Sequence, residues 1–426
     1  MDIAPTTAQL RARGALHLMF DPVFGALFWG KIFAVVGVWT HGIVAAIVMF
    51  EATGSALMVG LVGVVQFGPQ LLLSPTSGKW ADRGNPARQI LLGRVLCVAG
   101  SGSVAAWLAL DGQHAAGAVL LGSLLVGIGF VVGGPAMQSI VPSLIRDGEL
   151  PTAMALNSFP MTIGRLIGPA VGAYIAAHLG ATTAFAVSAG LHLIFAIFLV
   201  VVRFPAPPGL PDDTDFRVRA ALRYVWRDRP LLLALVAVTT VGFASDPSIT
   251  LTPSMAEQLG GGTQLVGILS AAFGIGAAAG MAMLALMRGR VASGWVSTIG
   301  LWLMGAGCVL LAIDSVIAVA LAGFVVAGLG FGWAMTGLST VVQERAPDAL
   351  RGRIMALWLV GFIGSRPFAA LVLGGTADAL NVQAAFAVAG AVTLAVALLC
   401  RPSTLARVRR SADEPAGRSR GPDPGA

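Results

Sequence analysis

Charge is what this 426-residue chain has least of. Only 11% of its residues are Asp, Glu, Lys or Arg, against about a quarter in soluble domains, while 56% are hydrophobic and the mean hydropathy is +0.84. That balance excludes a water-solvated globular domain. Histidine (5 residues) and cysteine (3) are also scarce. Cys97, Cys308 and Cys400 fall in separate apolar runs, without metal-ligand or disulfide spacing, and read as small buried hydrophobes. The scattered histidines do not pair with cysteines or an acidic cluster, so no metal, no cofactor and no catalytic constellation are expected, and a polytopic enzyme is disfavoured. A Gly-Lys-Ser/Thr phosphate loop is missing, which disfavours an ATP-driven pump in one chain, and the glycines of Gly127-Ile-Gly129-Phe-Val-Val-Gly133 lie inside an apolar run with no preceding strand.

What the chain does have is apolar runs of 20 residues or more, each long enough to cross a hydrocarbon core about 30 Å thick. Breaks at charges, Pro and Gly predict twelve helices, at 23–50, 56–77, 89–110, 115–140, 153–177, 182–202, 230–252, 263–287, 293–312, 315–341, 354–377 and 382–400. The predicted fold is an all-α polytopic membrane protein of twelve transmembrane helices in two pseudo-symmetric six-helix bundles. The first 22 residues lack the short core and cleavage site of a signal peptide, so no processing is expected.

Of the 27 Lys and Arg, 24 fall in the termini and even-numbered connections, Arg94 being counted with the connection between helices 2 and 3; Lys31, Arg165 and Arg366 lie inside helices. The odd-numbered connections carry only acids, such as Glu51, Asp111, Glu257, Asp314 and Asp378. The positive-inside rule then places a multi-pass protein in the cytoplasmic membrane with both termini in the cytoplasm. The net charge of +7 is spread over loops facing anionic lipid and implies no nucleic-acid partner.

The predicted organisation is a cytoplasmic N-terminal segment 1–22, a six-helix bundle 23–202, a cytoplasmic linker 203–229, a second bundle 230–400 and a polar, Pro- and Gly-rich tail 401–426 expected to be disordered. Within the linker, Phe216 to Trp226 reads either as a basic amphipathic helix at the inner membrane face or as a solvated connector. Ala153-Met154-Ala155-Leu156 and Ile354-Met355-Ala356-Leu357 are related by a shift of 355 − 154 = 201 residues, and the same shift carries Arg165 onto Arg366. Repeated half-chains are a transporter feature, with substrate at the interface between repeats.

The most polar short interruption is Gly78-Lys-Trp-Ala81-Asp82-Arg83 followed by Arg88, in the connection between helices 2 and 3. It resembles the loop signature of the major facilitator superfamily. The resemblance implies that Gly78 permits close helix approach and that Asp82, with Arg83 and Arg88, forms a gating latch. The chain departs from the usual pattern by having Asn85-Pro86-Ala87 before Arg88, and Arg288-Gly289-Arg290 in the second half lacks the acid. In helix 5, Gly164-Arg165-Leu-Ile-Gly168-Pro169-Ala-Val-Gly172-Ala173 resembles the Gly-Pro motif of drug:proton antiporters, with Ala173 where a further glycine is usual. Gly164, Gly168, Pro169 and Gly172 would serve close helix packing and a bend. With Thr53-Gly54-Ser55-Ala56 and Leu350-Arg351-Gly352-Arg353 the pattern is similar to the branch containing enterobactin and macrolide exporters.

Arg165 lies about 12 residues, or roughly 18 Å, into its predicted helix, too far to snorkel easily, and a cation there costs about 2.5 to 3.5 kcal/mol on insertion scales. It is expected to face a cavity. Lys31 and Arg366 complete the candidate cavity cations, Lys31 being alternatively a snorkelling residue. Candidate proton-coupling residues are Asp246, the only carboxylate well inside a predicted helix and followed by a helix-interrupting Pro247, then His41 and His192. Relatives in the branch often have Gly-Asp in helix 1 where this chain has Gly37-Val38. The expected function is a secondary active transporter, not an enzyme. It would export hydrophobic or amphipathic small molecules by alternating access with proton antiport, its partners being substrate, protons and the bilayer, and it would act as a monomer. A carrier of a siderophore, lysolipid or other organic anion is the alternative, favoured by the Arg165/Arg366 pair; a non-transporting sensor is the third reading.

Overall fold

A computed structural model describes residues 13–110, 112–146, 148–205, 218–287, 290–313, 316–347 and 350–405. Among these residues every regular element is a helix. The long helices are α1 (Phe24–Thr53), α2 (Ala56–Arg83), α3 (Pro86–Leu110), α4 (Ala115–Ser139), α5 (Leu150–Leu179), α6 (Ala181–Val201), α7 (Arg229–Ser245), α8 (Gly262–Met287), α9 (Ser293–Ile313), α10 (Ile317–Arg345), α11 (Arg351–Ala379) and α12 (Val382–Leu399). Among the described residues eleven of them are long and apolar enough to span a bilayer, α7 together with the turn that follows it to Thr250. The other is α5, whose apolar run is diluted by Asn157, Arg165 and two internal prolines, Pro160 and Pro169.

The punctuation is legible residue by residue. Gly54 takes a left-handed conformation (φ 63°) that ends α1, and Ser55 immediately caps α2 by accepting a hydrogen bond from the Met58 N–H at 3.1 Å. Asp228 and Asn381 cap α7 and α12 in the same way. Asp246-Pro247 breaks α7 as the sequence predicts, and short helices Pro247–Thr250 and Thr252–Gln258 complete the crossing.

Small residues set the helix spacing, as expected where lipid supplies no hydrophobic drive between helices. A Cβ on Gly276 would strike the backbone of Val325, and one on Gly328 that of Phe273, joining α8 to α10. Gly93 and Gly100 meet Gly129 and Gly122 between α3 and α4 in the same manner. The two halves, α1–α6 and α7–α12, meet where α2 runs along α11 and α5 along α8.

Two expectations change, and of the two readings of the linker the helix is the one seen. Helix α2 continues through Arg83, so the Asp82 signature lies on the last turn of a helix and not in a loop. Arg94, counted with a connection, lies two turns inside α3 and is 0% exposed. Of the linker, residues 206–217 are outside the described set, but Val218–Arg227 is a helix, burying Ala221 and Val225 and exposing Leu222, Arg223 and Trp226. The tail from residue 406 also lies outside the described residues.

At the end of the bundle where the described chain starts and stops, an ionic knot is seen in each half. Arg13 reaches Glu149 through Nε and Nη2, both at 2.8 Å, and also pairs with Asp21. Glu149 accepts further bonds from the backbone N–H groups of Arg13 and Arg146, and the Arg13 guanidinium holds its carboxyl down at about 2. In the other half Arg345, closing α10, forms a bidentate bond with Asp228 at 2.9 Å.

Candidate functional site

The break after α7 places Asp246 between the halves, 2% exposed. Thr250, one turn on, donates its hydroxyl to Asp246 Oδ2 at 2.6 Å, and Arg366 Nε stands 3.5 Å from Oδ1 as an ion pair. Arg366 is followed by Pro367, which lacks an N–H and so leaves an α11 carbonyl without its helical donor where the arginine turns inward. The carboxylate and its guanidinium line a small cavity with Trp39 and Gly42 from α1 and Gln66 and Phe67 from α2.

Arg165 comes from the other half and has a different environment. Its Cζ lies 4.2 Å from the centroid of Phe331, 5.2 Å from Trp39 and 5.3 Å from Phe362. Arg366 Cζ lies 5.0 Å from Trp39 and 4.8 Å from Phe67, so one indole is shared between two cations. Arg165 is half-exposed as a residue, its Nη2 is buried with no hydrogen-bond partner, and no acid pairs with it among the described residues. The centre therefore holds two guanidinium cations and one carboxylate.

The end of the bundle away from the termini is sealed. Asp378, at the close of α11, accepts from Ser55 Oγ at 2.5 Å, Ala56 N at 2.7 Å and Leu57 N at 3.0 Å, capping the first turn of α2 across the two halves. Carboxylate bonds to free N–H groups at a helix start are charge-assisted and favoured by the helix dipole. Thr263 donates to Glu51 beside it at 2.8 Å. Below this seal Gly374 packs on the Ala56 carbonyl and Gly60 on that of Ala370.

A model of the family described as transmembrane secretion effector matches residues 14–423. The chain belongs to this family of the major facilitator superfamily. It is 25% identical over 395 residues to the enterobactin exporter EntS of Salmonella typhimurium, covering 90% of this chain and 92% of that protein, and 26% identical to the EntS of Citrobacter koseri over the same shares. Among solved structures it is similar in fold to the nucleoside transporter NupG (TM-score 0.70, 12% identity, 91% and 98% of the two chains). A bacterial homolog of the human lysosomal transporter Spinster is a second neighbour (TM-score 0.67, 13% identity, 91% and 97%). These relatives are transporters, and the chain is a multi-pass membrane transporter of this superfamily, not an enzyme.

Within that frame the motif glycines of α5 face α1. A Cβ on Gly164 would lie 2.5 Å from Val35, on Gly168 2.6 Å from the Trp39 Cβ, and on Gly172 2.8 Å from Ile43, and Thr40 donates to the Gly168 carbonyl at 3.1 Å. Pro169 is buried inside the helix. Ala173, in place of the usual glycine, faces α8, where a Cβ on Gly267 would lie 3.3 Å from its own. Gly78 has open space where a Cβ would stand, so the close approach implied for it is not made in this conformation. The side chains of Asp82 and Arg83 lie outside the described residues, and Arg88 is exposed, its N–H bonded to the Asn85 side chain at 3.1 Å.

The remaining candidates do not join the central site. Lys31 neither snorkels nor lines the cavity: it is buried, and Nζ donates to the Asn157 carbonyl at 2.7 Å and to its Oδ1 at 2.8 Å. His41 is buried in the first half between Ser101 and Ser123, 3.0 Å from each. Ser188 donates to the Gly37 carbonyl, so Ser101 must donate to Ser188 and His41 must carry its proton on Nδ1, with Ser123 donating to Nε2. That chain ties α1, α3, α4 and α6 together around a neutral imidazole. His192 is also buried, and Arg94 Nη1 approaches its Nδ1 at 3.4 Å. Sequence reasoning missed Arg94 and Asp378, although Asn85-Pro86, a capping residue before a first-turn proline, signals that α3 starts early enough to bury Arg94.

Proposed function

We propose that this chain exports amphipathic small molecules bearing an anionic group by alternating access, and that Arg165 receives that group. The observation carrying this reading is the unequal provision for two arginines. Both arginines keep a buried nitrogen without a hydrogen bond, Nε of Arg366 and Nη2 of Arg165, but Arg366 has Asp246 as an ion-pair partner, whereas Arg165 has aromatic faces and no acid among the described residues. A buried donor left unpaired costs about 1 to 3 kcal/mol, more when charged, which an anionic cargo would relieve. Three rings around the guanidinium provide the apolar share of the contact. The enterobactin exporters similar to this chain handle a siderophore, which supports an export direction and an organic cargo.

With the termini in the cytoplasm, as the distribution of Lys and Arg argues, the sealed Asp378 end is outside and the structure faces inward. The two six-helix bundles, 23–202 and 230–400, are the rocking units, and the α2–α11 and α5–α8 contacts are what must part to expose the site outward. We assign Asp82, with Arg83 and Arg88, to the inner latch. His41 and His192 are assigned to the packing of the first half.

The test is uptake of labelled amphiphiles into inverted membrane vesicles containing the wild type, Arg165→Gln or Asp246→Asn. Anionic amphiphiles should accumulate with the wild type, and Arg165→Gln should lower that uptake at least tenfold at equal protein abundance. Uptake of cationic or neutral amphiphiles that anions neither accompany nor inhibit would overturn the proposal.

A further inference from the structure

The charge count at the centre bears on how transport is driven. Arginine stays protonated in proteins, so Arg165 and Arg366 contribute two positive charges. Asp246 accepts a hydrogen bond from Thr250 Oγ1 at 2.6 Å and forms an ion pair with Arg366 Nε at 3.5 Å, and beside that permanent cation it counts as one negative charge. The other polar or aromatic side chains lining its cavity are Trp39 on α1, Gln66 and Phe67 on α2 and Thr250, the rest being aliphatic, and none of them titrates near neutrality. His41, on the same helix as Trp39, is held away in the first half by Ser101 and Ser123. The empty site thus carries one net positive charge, and a monoanion on Arg165 brings it to zero.

We infer that export is electrogenic, driven by the membrane potential acting on the cargo's own negative charge, with no obligatory counterflow of protons. This rests on the anionic-cargo reading above. The loaded site, neutral, crosses outward without opposition from a potential negative inside. The empty site, with its single positive charge, returns inward along that potential. One cycle moves one negative charge out.

A proton does not fit the exchange that antiport requires. Antiport needs proton and cargo to exclude each other, but an anion competes with the Asp246 carboxylate for Arg366, not with a proton. Protonating Asp246 frees Arg366 and strengthens anion binding, so the two ligands bind together. A carrier that took both outward would move the proton against its gradient. Asp246 acts instead as a resident anion that holds Arg366 between turnovers and confines the unmet charge to Arg165.

The test uses the purified full-length protein in proteoliposomes with equal pH on both sides, a potassium gradient and valinomycin, and a fluorescent amphipathic carboxylate as probe. A lumen-positive potential should draw the probe in and a lumen-negative one should expel it. Steady-state accumulation should change tenfold for each tenfold change in the potassium ratio, equivalent to about 59 mV for a single charge. A protonophore should leave this unchanged. Asp246→Asn should keep the same dependence on the potassium ratio although its rate changes. Uptake that requires a pH gradient and ignores the potential overturns the electrogenic inference while leaving the anionic cargo intact. No movement of the probe under either gradient, with a cationic or neutral amphiphile moving instead, overturns the anionic reading as well.

Discussion

Arg165 and Arg366 occupy the same step of two repeats: each lies fifteen residues past the first residue of its helix, 165 − 150 in α5 and 366 − 351 in α11. Both are stacked near Trp39. Only Arg366 has an acid. The repeat at offset 201 supplies the cation in both halves, but the acid comes from α7, where Asp246-Pro247 breaks the helix; the matching position in the first half, 246 − 201 = 45, is Ala45, within the unbroken α1. Duplication gives symmetric scaffolding, and one broken helix makes the two cations unequal.

The largest effect should come from removing the acid. Asp246→Ala leaves Arg366 buried and unpaired and should cost about 3 to 5 kcal/mol, read as a lowered Tm of the purified protein, whereas adding Arg366→Met should recover most of the loss. If the double variant is no more stable than the single, the pair is not what stabilises this half. On the other side of the comparison, Gly168→Val forces a side chain into the Trp39 Cβ contact and should cost about 1 to 3 kcal/mol, displacing α5 and Arg165 while leaving α11 in place. Thermal stability and the anion uptake assay together check it, because uptake should fall more than the Tm shift explains.

Charge and stacking can be separated at Arg165 itself. Arg165→Lys keeps the charge but loses the planar face over Phe331, and should retain part of the uptake that Arg165→Gln loses. Equal losses in both variants would mean that stacking, not charge, distinguishes the first-half arginine. Asp378→Ala removes three cross-half acceptor contacts, so the sealed end should open more often. A cysteine introduced at the buried Val62 should then react roughly fivefold faster with a maleimide added at that end, as expected for about 1 kcal/mol.

The smallest effect contrasts the ionic knots at the other end. Glu149 is held at about 2 by Arg13. A depressed folded-state value gives stabilisation that is present above the ordinary carboxylate range and is lost as pH falls through about 2. Protection of the Arg13 segment in hydrogen exchange should therefore survive to about pH 3; loss near pH 4.5 would show that the knot does not hold Glu149 ionised.

Much of this was open to a reader of the sequence, because a bilayer imposes strong constraints. Apolar runs placed most helix ends to within a few residues, the end of α2 at Arg83 being the exception, Pro247 marked the break that carries Asp246, and depth along α5 pointed Arg165 inward. Side-chain direction was not readable. Nothing local says that His41 meets serines on two other helices 60 and 82 residues away, or that Lys31 ends on Asn157. Asp378 read as a loop acid because its partner, the first turn of α2, lies 323 residues back at Ser55. Arg94 was counted as a loop charge although it lies five residues inside the predicted helix 89–110, and the helix in fact starts earlier still, at Pro86, and buries it.

Arg165 and Asp246 act in opposite senses on one ligand. The most direct measurement is equilibrium binding of a fluorescent amphipathic carboxylate to purified wild type, Arg165→Gln and Asp246→Asn at fixed pH and salt. The account predicts that Arg165→Gln weakens binding at least tenfold and that Asp246→Asn, by freeing Arg366, tightens it. Weakening of similar size in both variants would contradict it, because the carboxylate would then be part of the ligand's site and not its competitor.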